Sequence, residues 1–161
     1  MDLHKAEKLA KELLREHNPE YTFKWDNAKV RFGACHYKTK QISLSKHLTY
    51  MNNEDEVKDT ILHEIAHSLT KGKNHNRVWR AKAVELGCCG ARCYDNNKVE
   101  SPKGKYVYQC PICENKYYHH RRSRRKSACG KCCKAYNNNK YSKDYELVFL
   151  GVRNGTNRTR K

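Results

Sequence analysis

The chain has 161 residues, and its 34 lysines and arginines outnumber its 17 aspartates and glutamates, giving a formal net charge of +17. A hydrophobic share of 37% with 10% aromatic residues excludes a wholly disordered chain, and the length suits one ordinary domain or two small ones. No apolar run approaches the roughly 20 residues of a membrane span, and no signal-peptide core is visible. We therefore expect no membrane association and an intracellular location: cytoplasm or nucleoid, or nucleus if the host is eukaryotic.

The first predicted elements are a helix and three strands. Apolar residues recur at three- and four-residue steps over residues 3–14, which predicts an amphipathic helix that ends before Pro19. Residues 21–25 alternate between aromatic and polar side chains, as a half-buried strand does. Residues 30–37 and 41–44 bracket a polar turn and predict a hairpin.

The next predicted helix contains the first chemical motif. Asn53 and Glu56 have the spacing of a capping box, and the apolar face that follows indicates a helix packed in the core. The helix then reads H-E-x-x-H, and a four-residue step places His63 and His67 on one face, where they can share a zinc ion. Glu64 can reach a zinc-bound water, activate it as general base, and return the proton to the leaving amine.

A catalytic zinc needs a third protein ligand and an open fourth position. His75 follows after a short loop, at the start of a helix predicted over about residues 76–87, and we expect it to be that ligand. Glu85 on the same helix is the rival, as in zincins whose third ligand is a glutamate. His36 and His47 are the remaining alternatives, although ordinary strand or loop roles suit them better.

The second half of the chain carries a different metal-binding pattern. Cys110-x-x-Cys113 is followed after fifteen residues by Cys129-x-x-Cys132, which is the spacing of a four-cysteine structural zinc site. Cys133 is an alternative to Cys132 as the fourth ligand. A closed site of this kind organises a small domain that apolar burial alone would not fold.

The positive charge is concentrated in the same half. Residues 101–161 hold 16 basic and 3 acidic side chains, a net of +13, which favours a nucleic-acid partner. Cationic side chains attract phosphate and tyrosine rings stack on unpaired bases, so we expect a single-stranded or distorted nucleic acid. A basic segment kept for solubility, and tyrosines that only form a small core, are the alternatives. The residues expected to contact nucleic acid are Tyr108, Tyr118, Arg121, Arg122, Arg124, Arg125 and Lys126.

Taken in order, these features resemble the SprT-like metalloprotease family, which includes the eukaryotic Spartan protease. The resemblance spans about residues 1–150 and includes the strand 31–35, the H-E-x-x-H helix, His75 with Trp79 four residues later, and the basic four-cysteine ribbon. It implies an α+β chain with a zincin-like metallopeptidase domain over residues 1–100. A DNA-binding zinc ribbon over residues 104–150 and a flexible basic tail over residues 151–161 would follow.

The resemblance also implies the roles of the site residues. His63, His67 and His75 would hold a catalytic zinc, the ribbon cysteines would hold a second, structural zinc, and Glu64 would be the catalytic acid/base. Many relatives have glycine after the third histidine, where this chain has Asn76, so the turn geometry there is open.

The function implied is that of a DNA-dependent zinc metalloendopeptidase that cleaves DNA-bound or DNA-crosslinked proteins. We expect a monomer whose extended substrate pairs with an edge strand near residues 41–44, which gives a loose sequence preference. One alternative is a non-proteolytic nucleic-acid-binding or regulatory protein that uses the zincin fold as a scaffold. Another is a peptidase of free proteins in which the ribbon only braces the fold. The presence of Glu64 between the two histidines argues against the scaffold alternative, because a non-catalytic site has no need of a general base.

Overall fold

The computed structural model describes residues 1–92 and 99–153. The chain divides into two compact units, Met1–Pro102 and Lys103–Lys161, and each is described by itself. Most of the predicted basic tail, from residue 154 onward, lies outside the described residues. Within the described ranges, every helix is too short or too polar to cross a bilayer.

The first unit contains four helices and three strands among its described residues. The predicted first helix, the hairpin strands and the two later helices are all confirmed, while the short helix α2 was not predicted. The elements are α1 (Leu3–His17), β1 (Thr22–Asp26), β2 (Gly33–His36), β3 (Gln41–Ser45), α2 (Lys46–Met51), α3 (Glu54–Leu69) and α4 (Arg77–Glu85).

Side chains at the helix starts explain where the helices begin. Asn53 accepts a hydrogen bond from the Glu56 backbone N–H at 2.9 Å, which caps α3 as its sequence predicts. Three acidic residues occupy the first turn of α3, where their negative charges interact favourably with the positive end of the helix dipole. Ser45 caps α2 through the Leu48 N–H. That cap lies at the end of β3, so helix α2 starts where the strand stops.

The sheet of the first unit has the strand order β1-β3-β2. Strands β2 and β3 pair antiparallel as the predicted hairpin, whereas β1 pairs parallel with β3. Strand β3 is therefore central, with partners on both sides. The expectation that a substrate pairs with an edge near residues 41–44 is wrong, because those backbone groups are already used within the sheet. The edge strands are β1 and β2.

Helices α1 and α3 pack against each other and against the sheet, α1 on β1 and α3 on β2 and β3. The core between them contains fully buried Ile42 and Leu44 from β3 and Ile61 and Ile65 from α3. Burial of each such side chain stabilises the fold by about 1.5–3 kcal/mol. This packing fixes α3, and with it the H-E-x-x-H motif, against β2.

The second unit contains a three-stranded antiparallel sheet with the order β5-β4-β6. Its elements are β4 (Tyr106–Gln109), β5 (Lys116–His119), α5 (Gly130–Tyr136), a 3₁₀ turn (Lys143–Tyr145) and β6 (Val148–Val152). The predicted start of the flexible tail at residue 151 is wrong, because Gly151 and Val152 pair with β4 as part of β6. The second unit thus includes a strand that the sequence analysis divided between ribbon and tail.

Candidate metal centres

Three histidine side chains converge in the first unit. The Nε2 atoms of His63 and His67 lie 3.2 Å apart, and the Nε2 of His75 lies 3.1 Å from the first and 3.0 Å from the second. Nitrogens bound about 2.0–2.1 Å from a tetrahedral zinc would be about 3.3 Å apart. A neutral imidazole offers one lone pair, and three of them aimed at one point suit a shared cation better than mutual hydrogen bonds. The cluster therefore fits zinc.

The loop after α3 brings the third histidine back to the first two. Backbone hydrogen bonds from Lys73 to Thr70 and from Asn76 to Lys73 form two successive turns. His75 has a φ of 56°, a left-handed conformation that histidine adopts more readily than most residues. Asn76 then caps α4, since its side chain accepts the N–H groups of the two helical residues Val78 and Trp79. The asparagine at this position therefore has a clear structural role.

Trp79 holds the three imidazoles in place. Its side chain is fully buried, and its ring centroid lies 4.6 Å from that of His63, 5.0 Å from that of His67 and 4.5 Å from that of His75. The ring stacks on His67 and meets the other two edge-on. Packing of this kind locks side-chain rotamers around a site, which lowers the cost of ordering the ligands when a metal binds.

The surroundings keep the histidines neutral. Burial, followed by the charges of the neighbouring histidines, lowers the pKa of His63 to about 4, and burial with His75 lowers the pKa of His67 to about 4. Burial and the charge of Arg92 also lower the pKa of His75. Neutral imidazole is the form that ligates a metal.

Glu64 lies beside the cluster on the same helix and packs against β2. Its side chain is 8% exposed, and burial raises its pKa to about 7, against the lowering effects of Arg31 and the Cys35 backbone N–H. A Cβ added at Gly33 would lie 2.9 Å from the Glu64 Cγ, so glycine is what admits the side chain here. Gly33 is thus a site residue that the sequence analysis missed, although a glycine within a strand pattern signals close approach.

A cleft of about 490 Å³ opens over these residues. Its lining comes from the segment that leads into β2, from α3 with His63, Glu64 and His67, from His75 in the loop before α4, and from the segment after α4. The lining residues are Val30, Arg31, Phe32, Gly33, Glu56, Asp59, Thr60, His63, Glu64, His67, His75, Cys89, Ala91 and Arg92. The cleft gives a chain segment access to Glu64 and the three histidines.

The alternative third ligands lie elsewhere. Glu85 is exposed and pairs with Lys82 at 2.6 Å. His36 contacts the buried Ser43 hydroxyl at 3.0 Å from β2, and His47 belongs to α2. Among the described residues of the first unit, His75 is the side chain that joins His63 and His67 within ligand distance.

Four cysteines converge in the second unit. The Sγ atoms of Cys110 and Cys132 are 3.7 Å apart, and those of Cys113 and Cys129 are 3.6 Å apart. Sulfurs bound about 2.3 Å from a tetrahedral zinc would be about 3.8 Å apart. All four ligand atoms lie within 4.8 Å of one another. Cys133 is buried nearby but lies outside this group, so the geometry favours Cys132 as the fourth ligand.

The surroundings of these cysteines explain why a metal would matter to the second unit. Among the described residues, the buried cluster around this site consists of Cys110, Cys129 and Cys132, with Tyr117, Tyr145 and Leu147 packed against it. The Tyr117 hydroxyl lies 3.0 Å from the Cys129 Sγ. A cluster this small contributes little apolar burial, and an ion bound to the four thiolates would add to the folding free energy of the unit.

The residues predicted to contact nucleic acid fall into two groups. Arg121, Arg122, Arg124, Arg125 and Lys126 are exposed in the insert between the cysteine pairs. Tyr118 is partly exposed, with Lys103 and Arg153 near its ring. Lys126 pairs with Glu146 at 2.9 Å. The insert therefore presents a charged surface in which one cation already has a partner.

Tyr108 belongs to the core and not to the exposed surface. It is 7% exposed, its ring lies 4.8 Å from His119 and 5.2 Å from Phe149, and its hydroxyl accepts the Ser123 N–H at 3.0 Å. The prediction that Tyr108 stacks on a base is wrong, because its ring faces are covered by its neighbours. Phe149, which carries the Arg122 guanidinium 4.9 Å above its ring, was not predicted at all.

No curated protein matches the chain. Among solved structures, the metallopeptidase zymogen of Methanocaldococcus jannaschii jannalysin is similar, with a TM-score of 0.45 and 20% identity, over 58% of this chain and 85% of that one. The metallopeptidase zymogen of Pyrococcus abyssi abylysin gives 0.40 and 18%, over 51% and 76%. Both likenesses are too distant to carry an argument.

A profile of the SprT-like family matches residues 3–101, more than half of the chain and nearly the whole first unit. The matched range contains all three clustered histidines and Glu64, and the family match and this cluster support a zinc metalloprotease. The chain belongs to the SprT-like family.

Proposed function

We propose that this protein is a DNA-dependent zinc metalloendopeptidase that cleaves DNA-bound or DNA-crosslinked proteins with loose sequence preference. The observation that carries the proposal is the convergence of three neutral histidine nitrogens within 3.0–3.2 Å of one another beside a buried Glu64. The second unit adds a basic surface to the same chain.

Glu64 performs the proton transfers of peptide hydrolysis in this proposal. Zinc on the three histidines would act as a Lewis acid and lower the pKa of water from 15.7 to about 7. The Glu64 carboxylate accepts the proton of the attacking water and passes it to the leaving amine nitrogen, a role worth about 10²–10⁴-fold in rate. Its burial in the cleft and the Cys35 N–H bond orient it for this task.

The substrate segment lies extended along β2. This strand is an edge of the sheet, and the residues at its start line the cleft that contains Glu64. A chain that pairs with an edge strand is held by backbone hydrogen bonds, so its side chains are selected only weakly. Loose sequence preference follows, and it suits an enzyme whose substrates have nothing in common except their place on DNA.

DNA binding is assigned to the second unit. Arg121, Arg124 and Arg125 are exposed, and no described carboxylate lies within ion-pair distance of them. Arg122 over Phe149, and Tyr118 beside Lys103, combine cations with aromatic rings as single-strand binders do. Tethering to DNA raises the local concentration of proteins on the same strand without requiring an allosteric switch.

The test is proteolysis of a DNA-binding protein, followed on a gel with and without single-stranded DNA. Zinc-loaded wild type should cleave, faster with DNA, while Glu64→Gln, which preserves the shape of the side chain and removes its basic oxygen, should not. If both proteins bind DNA and neither cleaves, the scaffold function replaces the protease.

A charge-matched pair of variants tests the role of DNA. The triple substitution of Arg121, Arg124 and Arg125 by Gln should remove the DNA stimulation and reduce the logarithmic salt slope of binding by about 0.7 per lost contact. The control replaces three exposed lysines of the first unit, Lys8, Lys38 and Lys46, by Gln and should leave both unchanged. Equal stimulation in the two variants would refute DNA dependence through the insert.

A further inference from the structure

A third group of possible metal ligands shares no residue with the three histidines or the four ribbon cysteines. It consists of Asp59 on α3 and the consecutive residues Cys88 and Cys89, which follow α4. One ligand atom from each of the three lies within 4.8 Å of the other two. The proposed protease mechanism uses none of them.

Hydrogen bonds from Cys89 already orient the Asp59 carboxylate. The Cys89 backbone N–H donates to the Asp59 Oδ1 at 2.6 Å, and the Cys89 thiol donates to the Oδ2 at 3.1 Å. A ligating carboxylate is usually held by such an outer hydrogen bond while its other oxygen binds the metal. Here Oδ1 has that outer partner, and Oδ2 faces the sulfur.

The chain after α4 bends so that two consecutive side chains reach the same carboxylate. Gly87, with a φ of 88°, directly precedes the pair. Cys88 is buried in the cluster that contains Trp79, whereas Cys89 is exposed and lines the cleft together with Asp59. The buried Cys88 is therefore held by the core, while the exposed Cys89 leaves the group open to an ion that enters from the cleft.

We propose that Asp59, Cys88 and Cys89 form a binding site for a thiophilic divalent cation of the zinc class. Two thiolates and a carboxylate suit such an ion, with water in the fourth position. In a tetrahedral site, sulfur about 2.3 Å and oxygen about 2.0–2.2 Å from the metal are about 3.6 Å apart. The present 3.1 Å therefore has to open by about half an ångström. Each thiol releases its proton to solvent as its sulfur binds the metal.

A cation at this site would fasten one wall of the cleft. The segment after α4 contributes Cys89, Ala91 and Arg92 to the cleft lining, and Asp59 belongs to the same helix as His63 and His67. Coordination would join the segment after α4 to helix α3 by metal–ligand bonds, in addition to the hydrogen bonds between Cys89 and Asp59. The inference does not depend on the proposed proteolytic function.

The test adds Co²⁺ to the full-length protein loaded with two equivalents of Zn²⁺, in a phosphine reductant that contains no thiol. Zinc binds nitrogen and sulfur sites more tightly than cobalt does, so the histidine and ribbon sites retain it. Wild type should bind one further equivalent and develop a thiolate-to-cobalt charge-transfer absorption. Cys89→Ser should lose the absorption, and Asp59→Asn should weaken Co²⁺ binding at least tenfold.

Two controls keep the result decisive. Cys35→Ser replaces a partly buried cysteine outside all three groups and should retain the absorption. Cys89 is exposed, so its substitution spares the core that Cys88 helps to form, and thermal melting checks the fold. Absence of the absorption in wild type, its persistence in Cys89→Ser, an unchanged affinity in Asp59→Asn, or release of one zinc for each cobalt bound would each overturn the proposal.

Discussion

Gly33→Ala should displace the catalytic carboxylate without touching a zinc ligand. The added Cβ would lie 2.9 Å from the Glu64 Cγ, 3.0 Å from the Thr60 Cγ2 and 3.1 Å from the Glu64 Oε1. Carbon atoms pack at about 3.5–4.0 Å, so the Glu64 Cγ has to retreat by about 0.6 Å or more. Overpacking of this kind lowers the free energy of unfolding by about 1–3 kcal/mol. A shift approaching 1 Å costs up to about 10²-fold in kcat/KM.

The assay measures kcat/KM on a DNA-bound protein, zinc content and thermal stability. We expect kcat/KM to fall by about 10–100-fold, equivalent to about 1.4–2.7 kcal/mol, with zinc content unchanged. In a Glu64→Ala background, Gly33→Ala should destabilise less, because the atom it meets first is gone. Gly130→Ala is the control, since its added Cβ meets nothing within 4 Å. Wild-type kcat/KM in Gly33→Ala, or equal destabilisation in both backgrounds, would refute the reasoning.

Four further predictions concern the metal ligands, the residues that position them, and the pH dependence of stability. Trp79→Ala should cost about 3–5 kcal/mol of unfolding free energy and at least tenfold in zinc affinity by chelator competition. Trp79→Phe should cost less, because the indole N–H is buried without a partner among the described residues. Thermal melts should show that Asn76→Ala costs about 1 kcal/mol and Asn76→Gly a few tenths; equal costs would contradict the capping role. Metal analysis should find one zinc fewer in Cys132→Ser and no change in Cys133→Ser. Burial would raise the pKa of Asp26, but hydrogen bonds from backbone and side chains hold it below its usual value. The free energy of unfolding should therefore fall as the pH drops below about 4, and less so in Asp26→Asn, as followed by melting across pH.

The helices and the hairpin could be predicted from the sequence because their signals are local. The apolar step in α1, the cap at Asn53 and the alternation around residues 30–44 each depend on residues within a few positions of one another. The same locality explains the failures. The parallel pairing of β1 with β3, which makes β3 central, joins segments that lie about twenty residues apart and leaves no periodic signal.

In the second unit, too, local features could be predicted from the sequence and strand pairing could not. The basic insert and the cysteine spacing are visible in the sequence, and the structure shows them as an exposed surface and a compact cluster. Tyr108 was expected to be exposed because it stands near the arginines, but the strand pairing turns its ring onto Phe149 and His119. Whether a strand residue is buried depends on which strands pair, and that pairing cannot be read from its neighbours in the sequence.

The sequence alone determined the ligand chemistry of this protein. Two histidines four residues apart on a helix must share a face, and paired cysteines three residues apart fit a tight metal-binding turn, so spacing was sufficient. Only the tertiary structure decided that His75 and not Glu85 completes the cluster, that Gly33 makes room for Glu64, and that Asp59 meets Cys88 and Cys89. These contacts join distant segments, and their geometry depends on how α3, α4 and β2 pack together.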